Sequence, residues 1–252
     1  MKKSMSRFQA AAIHLGISAT IATLVFLPIY FFWYPGDLFD SAGGRDLFLI
    51  MLGVDVTIGP LVTLIVFVQG KKGLVFDLWV IGLVQASFLA YGVYTLAESR
   101  PVYVAFVKDR FELVRANQVP DSALGAAHMD RYRDLPWSGP RLVGVRFPTD
   151  PDEKFKIMVS GLAGVDIQSY PQYHVPYETE RKDVLAKAAP IAKLAKFNKG
   201  IDIAAVAKGV GRAEADVRFL PLRAGKVDLT VLLDATTADV LRLAAIKPWE
   251  YE

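Results

Sequence analysis

The chain has no cysteine, only three histidines, and a net charge of +3 over 252 residues. The absence of cysteine excludes disulfides, thiolate metal sites and thiol catalysis. Basic residues do not collect in one dense cluster, which recognition of nucleic-acid phosphates would require. We therefore expect no nucleic-acid partner, no metal or other cofactor, and we find no motif for a small-molecule substrate.

Charged residues are scarce in the first hundred positions, where three apolar runs cover residues 8–34, 47–68 and 74–96. About 20 apolar residues in a helix cross a hydrocarbon core of roughly 30 Å. The first run is too long for a signal peptide and ends in a cluster of Tyr, Phe and Trp typical of a bilayer interface. The sequence predicts a three-helix transmembrane domain over residues 1–98 in a lipid bilayer, and a second domain over residues 99–252.

Basic residues lie at the N-terminus and at Lys71 and Lys72, whereas the polar turn at residues 35–45 contains Asp37 and Asp40. Lysine and arginine accumulate on cytoplasmic turns of membrane proteins. The N-terminus is therefore predicted to be cytoplasmic. In a bacterial inner membrane the domain after the third helix is then periplasmic.

The second run contains one carboxylate near its middle. Asp55, Gly59 and Thr63 recur four residues apart and so share one helical face, while Pro60 leaves the carbonyl of Val56 without its helical donor. A buried acid in a membrane helix normally faces protein rather than lipid, and small residues let helices approach closely. This face is predicted to dock a helix of the same chain or of a partner.

Three other polar residues lie at about the depth of Asp55 when the rise per residue is counted from the cytoplasmic edge, namely Gln85, Ser18 and Thr20. We predict a hydrogen-bonded cluster of Asp55 with Gln85 and with Ser18 or Thr20. By the same count His14 lies too near the edge to reach Asp55 unless a helix tilts. An ion- or proton-coupled sensor or transport subunit that uses Asp55 is the alternative function.

The second domain is predicted to be α+β with an antiparallel sheet. The pattern indicates either one long strand over residues 100–114 or two strands broken at Lys108 and Asp109. A further strand is expected over residues 141–147, and a final hairpin over residues 217–222 and 227–233. Residues 240–246 form a strand or a helix. Helices are expected over residues 152–162, over residues 179–197 with a kink or a break at Pro190, and over residues 201–209.

Two sets of residues in this domain suggest a site. Ser122 and His128 could belong to a hydrolytic triad of an enzyme anchored to the membrane, but no nucleophile elbow surrounds the serine. We therefore predict no catalytic residue. The aromatic string Tyr170, Tyr173 and Tyr177 is either an exposed contact for a partner or ordinary core packing.

Several stretches together resemble the type IV pilin accessory proteins TfpX, TfpY and TfpZ; they are residues 53–67 (GVDVTIGPLVTLIVF), 71–73 (KKG), 100–114 (RPVYVAFVKDRFELV), 135–146 (LPWSGPRLVGVR) and 170–178 (YPQYHVPYE). The resemblance implies an inner-membrane protein without enzymatic activity. It also implies that this protein works with a cognate type IV major pilin and supports pilus assembly or dynamics.

Overall fold

The computed structural model describes residues 5–250 and begins with three long apolar helices. The first span is helix α1 (Arg7–Pro28) continued by a π-helical turn (Ile29–Trp33). The second span consists of α3 (Gly44–Leu52), a π-helical segment (Gly53–Ile58) and α4 (Gly59–Val66), and the third is α5 (Leu74–Glu98). The three apolar helices predicted from the sequence are thus confirmed, and each is long and apolar enough to cross a membrane.

Local sequence signals set the ends of these spans. Ser6 caps α1, accepting from the backbone N–H of Gln9 while the Gln9 side chain accepts from the backbone N–H of Ser6.

Many apolar side chains of the three spans are exposed; Ile65, for example, is 77% exposed and Trp79 is 74% exposed. Such faces require lipid or another protein as their neighbour.

The remaining helices and strands belong mostly to the second domain. Between the first two spans lies the short helix α2 (Leu38–Ser41). The domain contains α6 (Asp121–Gly125), α7 (Pro151–Leu162), α8 (Arg181–Lys187) and α9 (Ile203–Gly209), and strands β1 (Pro101–Val107), β2 (Arg110–Arg115), β3 (Arg141–Val145), β4 (His174–Pro176), β5 (Ala189–Pro190), β6 (Val217–Arg223), β7 (Leu229–Asp234) and β8 (Val240–Ala244).

These strands form one sheet in the order β4-β3-β1-β2-β6-β7-β8, with β5 paired to β6. The prediction of an antiparallel sheet is wrong, because β3 runs parallel to β1 and β6 runs parallel to β2. β2 returns the chain to the end of the sheet where β1 begins, and residues 116–140 then pass to the other edge of β1, so β3 starts beside the start of β1 and runs in the same direction. The sheet is therefore mixed.

Most predicted elements are present. The strand pattern of residues 100–114 divides at Lys108, which has φ 58°, into the hairpin β1–β2. Pro190 ends the expected helix of residues 179–197, since α8 stops at Lys187 and a 3₁₀ helix (Ile191–Lys196) follows. The C-terminal hairpin is β6–β7, and residues 240–244 form the strand β8.

One hydrophobic core joins the sheet to the span ends that lie nearest to the second domain. Leu38 and Phe39 lie in the turn that was predicted to be polar. Both are buried, together with Tyr34, Leu96 and residues of β1, β2, β6 and β7. Only Ser99 and Arg100 separate α5 from β1. Residues 34–43, here called the inter-span segment, therefore pack against the sheet.

Polar contacts fix the inter-span segment from both sides. Arg115 Nη2 donates to the carbonyl oxygens of Ala42 at 3.1 Å and Ala224 at 3.2 Å, and so ties this segment to β2 and to the end of β6. The backbone N–H of Ala245 donates to Asp37 Oδ2 at 3.0 Å. The segment is consequently bound to both halves of the sheet.

Tyr34 is the central side chain of this junction. It is fully buried, and its hydroxyl donates to the carbonyl oxygen of Leu96 at 3.1 Å, at the end of the third span. Burial raises the pKa of the Tyr34 phenol well above its usual value, so the hydroxyl stays protonated as a donor.

Replacing this hydroxyl tests the junction. In Tyr34→Phe the Leu96 carbonyl loses its donor inside the core, and we expect the free energy of unfolding in detergent to fall by about 1–3 kcal/mol. The matched control is Tyr94→Phe, because Tyr94 lies on the same third span but is 62% exposed. Equal melting temperatures for the two variants would contradict the role of this hydrogen bond.

Candidate functional site

A chain of hydrogen bonds crosses the three spans. Thr63 Oγ1 lies 2.5 Å from His14 Nδ1, His14 Nε2 lies 2.7 Å from Gln85 Oε1, and Gln85 Nε2 donates to the backbone carbonyl of Asp55 at 3.0 Å. The Asp55 carbonyl can only accept, so the Gln85 amide nitrogen faces it and the amide oxygen faces His14. His14 Nε2–H then donates to Gln85 Oε1, and the Thr63 hydroxyl bonds to the other ring nitrogen, Nδ1. Each span contributes at least one member of this chain.

Pro60 explains why a side chain is needed at the Asp55 carbonyl. The N–H that proline lacks would bond to the carbonyl of Val56 in an α-helix or to that of Asp55 in a π-helix. The segment immediately before α4 is π-helical. Gln85 of the third span therefore supplies a donor where the second span has lost one.

Gly59 lets Gln85 reach that carbonyl. A Cβ at this position would lie 2.5 Å from Gln85 Cδ and 2.8 Å from Gln85 Oε1, closer than real Cβ atoms approach other atoms. Any larger residue here would therefore displace the Gln85 amide from its position. This is the small-residue packing that membrane helices use.

The side chain of Asp55 lies at a crevice of about 200 Å³ between α1 and α5. Asp55 is 7% exposed, and its Oδ1 has no hydrogen-bond partner among residues 5–250. Ser18 is buried and lines the same crevice, together with His14, Ile17, Ile21, Ala22, Gly82, Gln85, Ala86 and Leu89. Asp55 therefore borders a mostly apolar space, while its Oδ1 is fully buried.

The structure brings most of the predicted residues together. Asp55, Gly59, Pro60 and Thr63 are all buried, and Gln85 packs against them. Thr20 does not join them, because it is exposed and its hydroxyl donates to the Gly16 carbonyl of its own helix at 2.8 Å. The alternative of an ion-coupled subunit stays a prediction.

His14 belongs to the hydrogen-bond chain, although its depth along the first span predicted that it would not reach Asp55. It meets Thr63 and Gln85 rather than the Asp55 carboxylate, and so it does not need the depth of Asp55. His14 lies six residues after the start of the first apolar run, and Thr63 lies five residues before the end of the second. Antiparallel helices bring such positions to the same level, and this comparison would have paired the two residues.

The second domain presents an exposed apolar helix face that was not predicted. Phe155, Met158, Val159 and Leu162 of α7 are 62%, 57%, 47% and 85% exposed. Their spacing of three and four residues places them on one side of the helix. Ile157, on the opposite side, packs against the core. We call these four residues the α7 face.

The other candidates in the domain have different surroundings. Tyr177 is buried and its hydroxyl donates to the Ala238 carbonyl at 2.5 Å, so its ring packs in the core, and the aromatic string as a partner contact stays a prediction. Tyr170 and Tyr173 are half-buried with their rings 6.4 Å apart. Ser122 and His128 are both exposed. Within the described part of the chain no three His, Asp or Glu side chains are grouped closely enough to bind a metal ion.

A glycine substitution tests the packing of the second span on the third. Gly59→Ala displaces the Gln85 amide from the Asp55 carbonyl, and we expect the free energy of unfolding in detergent to fall by about 1–3 kcal/mol. Gly53→Ala is the control, since it lies in the same span and a Cβ there has open space around it. If both variants melt together, the close approach at Gly59 does not stabilise the membrane helices.

Comparison with known proteins identifies the family. The family model described as fimbrial assembly protein FimB matches residues 2–36. The fimbrial assembly protein of serogroup I from Dichelobacter nodosus is 31% identical over 197 residues, which cover 77% of this chain and 76% of that protein. The serogroup E1 protein of that organism is 28% identical over 93% of this chain and 94% of its own length. No solved structure matches. The chain belongs to the family of fimbrial assembly proteins.

Proposed function

We propose that this protein is a non-catalytic, multi-pass inner-membrane factor that supports assembly or dynamics of a type IV pilus by contacting its major pilin. Membership of the fimbrial assembly family supports the role in pilus assembly. The resemblance of residues 53–178 to the TfpX, TfpY and TfpZ proteins supports the finer assignment to pilin accessory proteins.

The proposed orientation places the N-terminus in the cytoplasm and the sheet domain in the periplasm. Lys71 and Lys72 lie between the second and third spans, at the end opposite to the sheet domain. Trp33 and Trp137 meet at that other end, with ring centroids 5.5 Å apart, at the level where the first span leaves the apolar region. The basic turn favours this orientation, because lysine and arginine accumulate on the cytoplasmic side, whereas the tryptophans mark only the level of a bilayer interface.

The observation that carries the contact with pilin is the α7 face. Four large apolar side chains share one exposed side of a helix in the domain outside the spans. Exposed apolar patches of this kind mark sites of protein interaction. Exposed charged residues of both signs lie on the same helix and form a polar border to the face, namely Asp152, Glu153, Lys154 and Lys156.

One pair of valines tests this contact with matched chemistry. Val159 on the α7 face and Val227 in the turn before β7 are 47% and 49% exposed. Val159→Glu places a charge in the proposed interface, and we expect recovery of pilin with the affinity-tagged protein from solubilised membranes to fall about fivefold or more. Val227→Glu adds the same charge at a site outside the contact.

The pilus itself provides the second measurement. Cells that express Val159→Glu are expected to bear fewer surface pili than cells that express Val227→Glu at the same protein level. Equal pilin recovery and equal piliation in the two strains would contradict the proposed contact through α7.

A further inference from the structure

We propose that the second domain binds phospholipid directly, by placing the ring of Trp137 in the headgroup layer of the bilayer that the three spans cross. The contact is made by the loop of residues 135–140 (LPWSGP), here called the Trp137 loop. This inference rests on the proposed membrane location of the spans and adds a lipid contact in the domain outside them.

The first argument is the position of the Trp137 loop beside the end of the first span. The backbone N–H of Gly139 donates to the carbonyl oxygen of Phe32, in the π-helical turn that ends this span. The rings of Trp137 and Trp33 are perpendicular, with their centroids 5.5 Å apart. Trp137 therefore lies at the level where the apolar surface of the spans ends.

The second argument is which aromatic rings remain exposed at this level. The sequence predicts that the aromatic end of the first run lies at the bilayer interface, yet Trp33 is 9% exposed and Tyr34 is fully buried. Phe31 and Phe32 are exposed but have no polar group, whereas Trp137 is 69% exposed and has an indole N–H. Tryptophan is enriched at bilayer interfaces because its ring is apolar and its N–H can bond to polar groups there. Trp137, rather than Trp33, is therefore the tryptophan available to lipid at this level.

The third argument is that the ring is held in place by the rest of the chain. Pro136 and Pro140 restrict the backbone on both sides of it. The guanidinium carbon of Arg100 lies 5.4 Å from the centroid of the Trp137 ring. Arg100 is 8% exposed, and its Nη1 donates to the carbonyl oxygen of Ala97 in α5 at 2.6 Å. The ring is ordered before it meets lipid, so little conformational entropy is lost on contact.

The same domain offers an aromatic residue that lies far from the bilayer. Arg115, which bonds to the inter-span segment, marks the end of the β1–β2 hairpin nearest to the spans. β1 starts at that end, and its seven residues extend about 23 Å at roughly 3.3 Å per residue. Phe147 lies at the other end, where Lys108 Nζ is 4.6 Å from the centroid of its ring. Because each headgroup layer is only about 5–8 Å thick, Phe147 lies beyond it.

Lipid quenching of an attached fluorophore tests the contact. The chain has no cysteine, so Ser138→Cys and Phe147→Cys each provide one labelling site, and Ser138→Cys leaves Trp137 in place. Both positions are exposed. Each variant is labelled with a nitrobenzoxadiazole dye in vesicles of phosphatidylethanolamine and phosphatidylglycerol that contain phospholipid with a nitroxide on its headgroup. We expect quenching at position 138 to exceed that at position 147 by about threefold or more. Equal quenching at the two positions would overturn the proposal.

The tryptophan itself provides the second measurement. One variant combines Trp33→Phe, Trp79→Phe and Trp249→Phe, so that Trp137 is the one tryptophan left in the chain. Phospholipid brominated near the headgroup end of its acyl chains is expected to quench about half of its emission. Adding Trp137→Phe and Phe147→Trp to this variant moves the single tryptophan to the far end of β3, where we expect quenching of about a tenth or less. Unquenched emission from Trp137 contradicts its contact with lipid.

A reference position on the first span separates this inference from the proposed membrane location. Phe31 is 64% exposed, and a dye at Phe31→Cys is expected to be quenched by the nitroxide lipid when the spans cross the bilayer. Quenching at position 31 without quenching at position 138 overturns this inference alone, and it is the result expected if protein rather than lipid covers Trp137. Absence of quenching at position 31 contradicts the proposed membrane location, and the lipid contact falls with it.

Discussion

The donor that Gln85 provides to the Asp55 carbonyl organises the three apolar helices of the molecule. Proline at position 60 removes a backbone donor from the second of these helices, and a buried carbonyl without a donor is costly unless another helix supplies one. The Gln85 amide does so at 3.0 Å, and its oxygen is in turn bonded by His14 of the first span. Glycine at position 59 makes room for the amide. A defect in one helix thereby becomes the point at which all three meet.

The hydrogen bond from Gln85 does not satisfy the side chain of Asp55. The Gln85 amide satisfies the backbone of Asp55 but not its side chain, whose Oδ1 remains without a partner in the part of the chain that the structure describes. A buried ionisable residue within membrane helices is expensive and usually functional. The crevice that Asp55 borders opens between two helices whose outer ends enter the core of the sheet domain.

That core links the membrane spans to the domain outside them. Tyr34, Leu38 and Leu96 are buried together with the sheet strands, and Arg115 bonds the inter-span segment to β2 and β6. The domain is therefore packed on the helix ends rather than suspended from a flexible linker. Under the proposed function, the partner contacts the α7 face of a domain that is packed directly on the helix ends.

Local sequence patterns predicted most helices and strands. Strand direction and the burial of loop residues depend on long-range packing, which these patterns do not contain. Runs of about 20 apolar residues indicate spans, and the break at Lys108 divides β1 from β2, because both signals lie within the segment itself. The direction of β3 depends on how residues 116–140 cross the sheet, so the parallel pairing was missed. Leu38 and Phe39 were read as part of a polar turn because their burial depends on a sheet far away in sequence.

The candidate site was predictable to a similar extent. The face formed by Asp55, Gly59 and Thr63 follows from helical periodicity alone. The partner of each residue does not, because a depth count assumes straight and upright helices. His14 was therefore discounted, and Thr20, at the expected depth, faces away from the cluster and bonds to its own helix.

The contact between His14 and Thr63 tests the central claim most directly, because the chain has no cysteine and an introduced pair is unambiguous. His14→Cys combined with Thr63→Cys should form a disulfide on mild oxidation in native membranes, and the oxidised pair should resist labelling by a maleimide polymer. Ile13→Cys combined with Thr63→Cys, in which the first position is 53% exposed, should remain labelled. Equal labelling of the two pairs would contradict the packing of the first and second spans described for this protein.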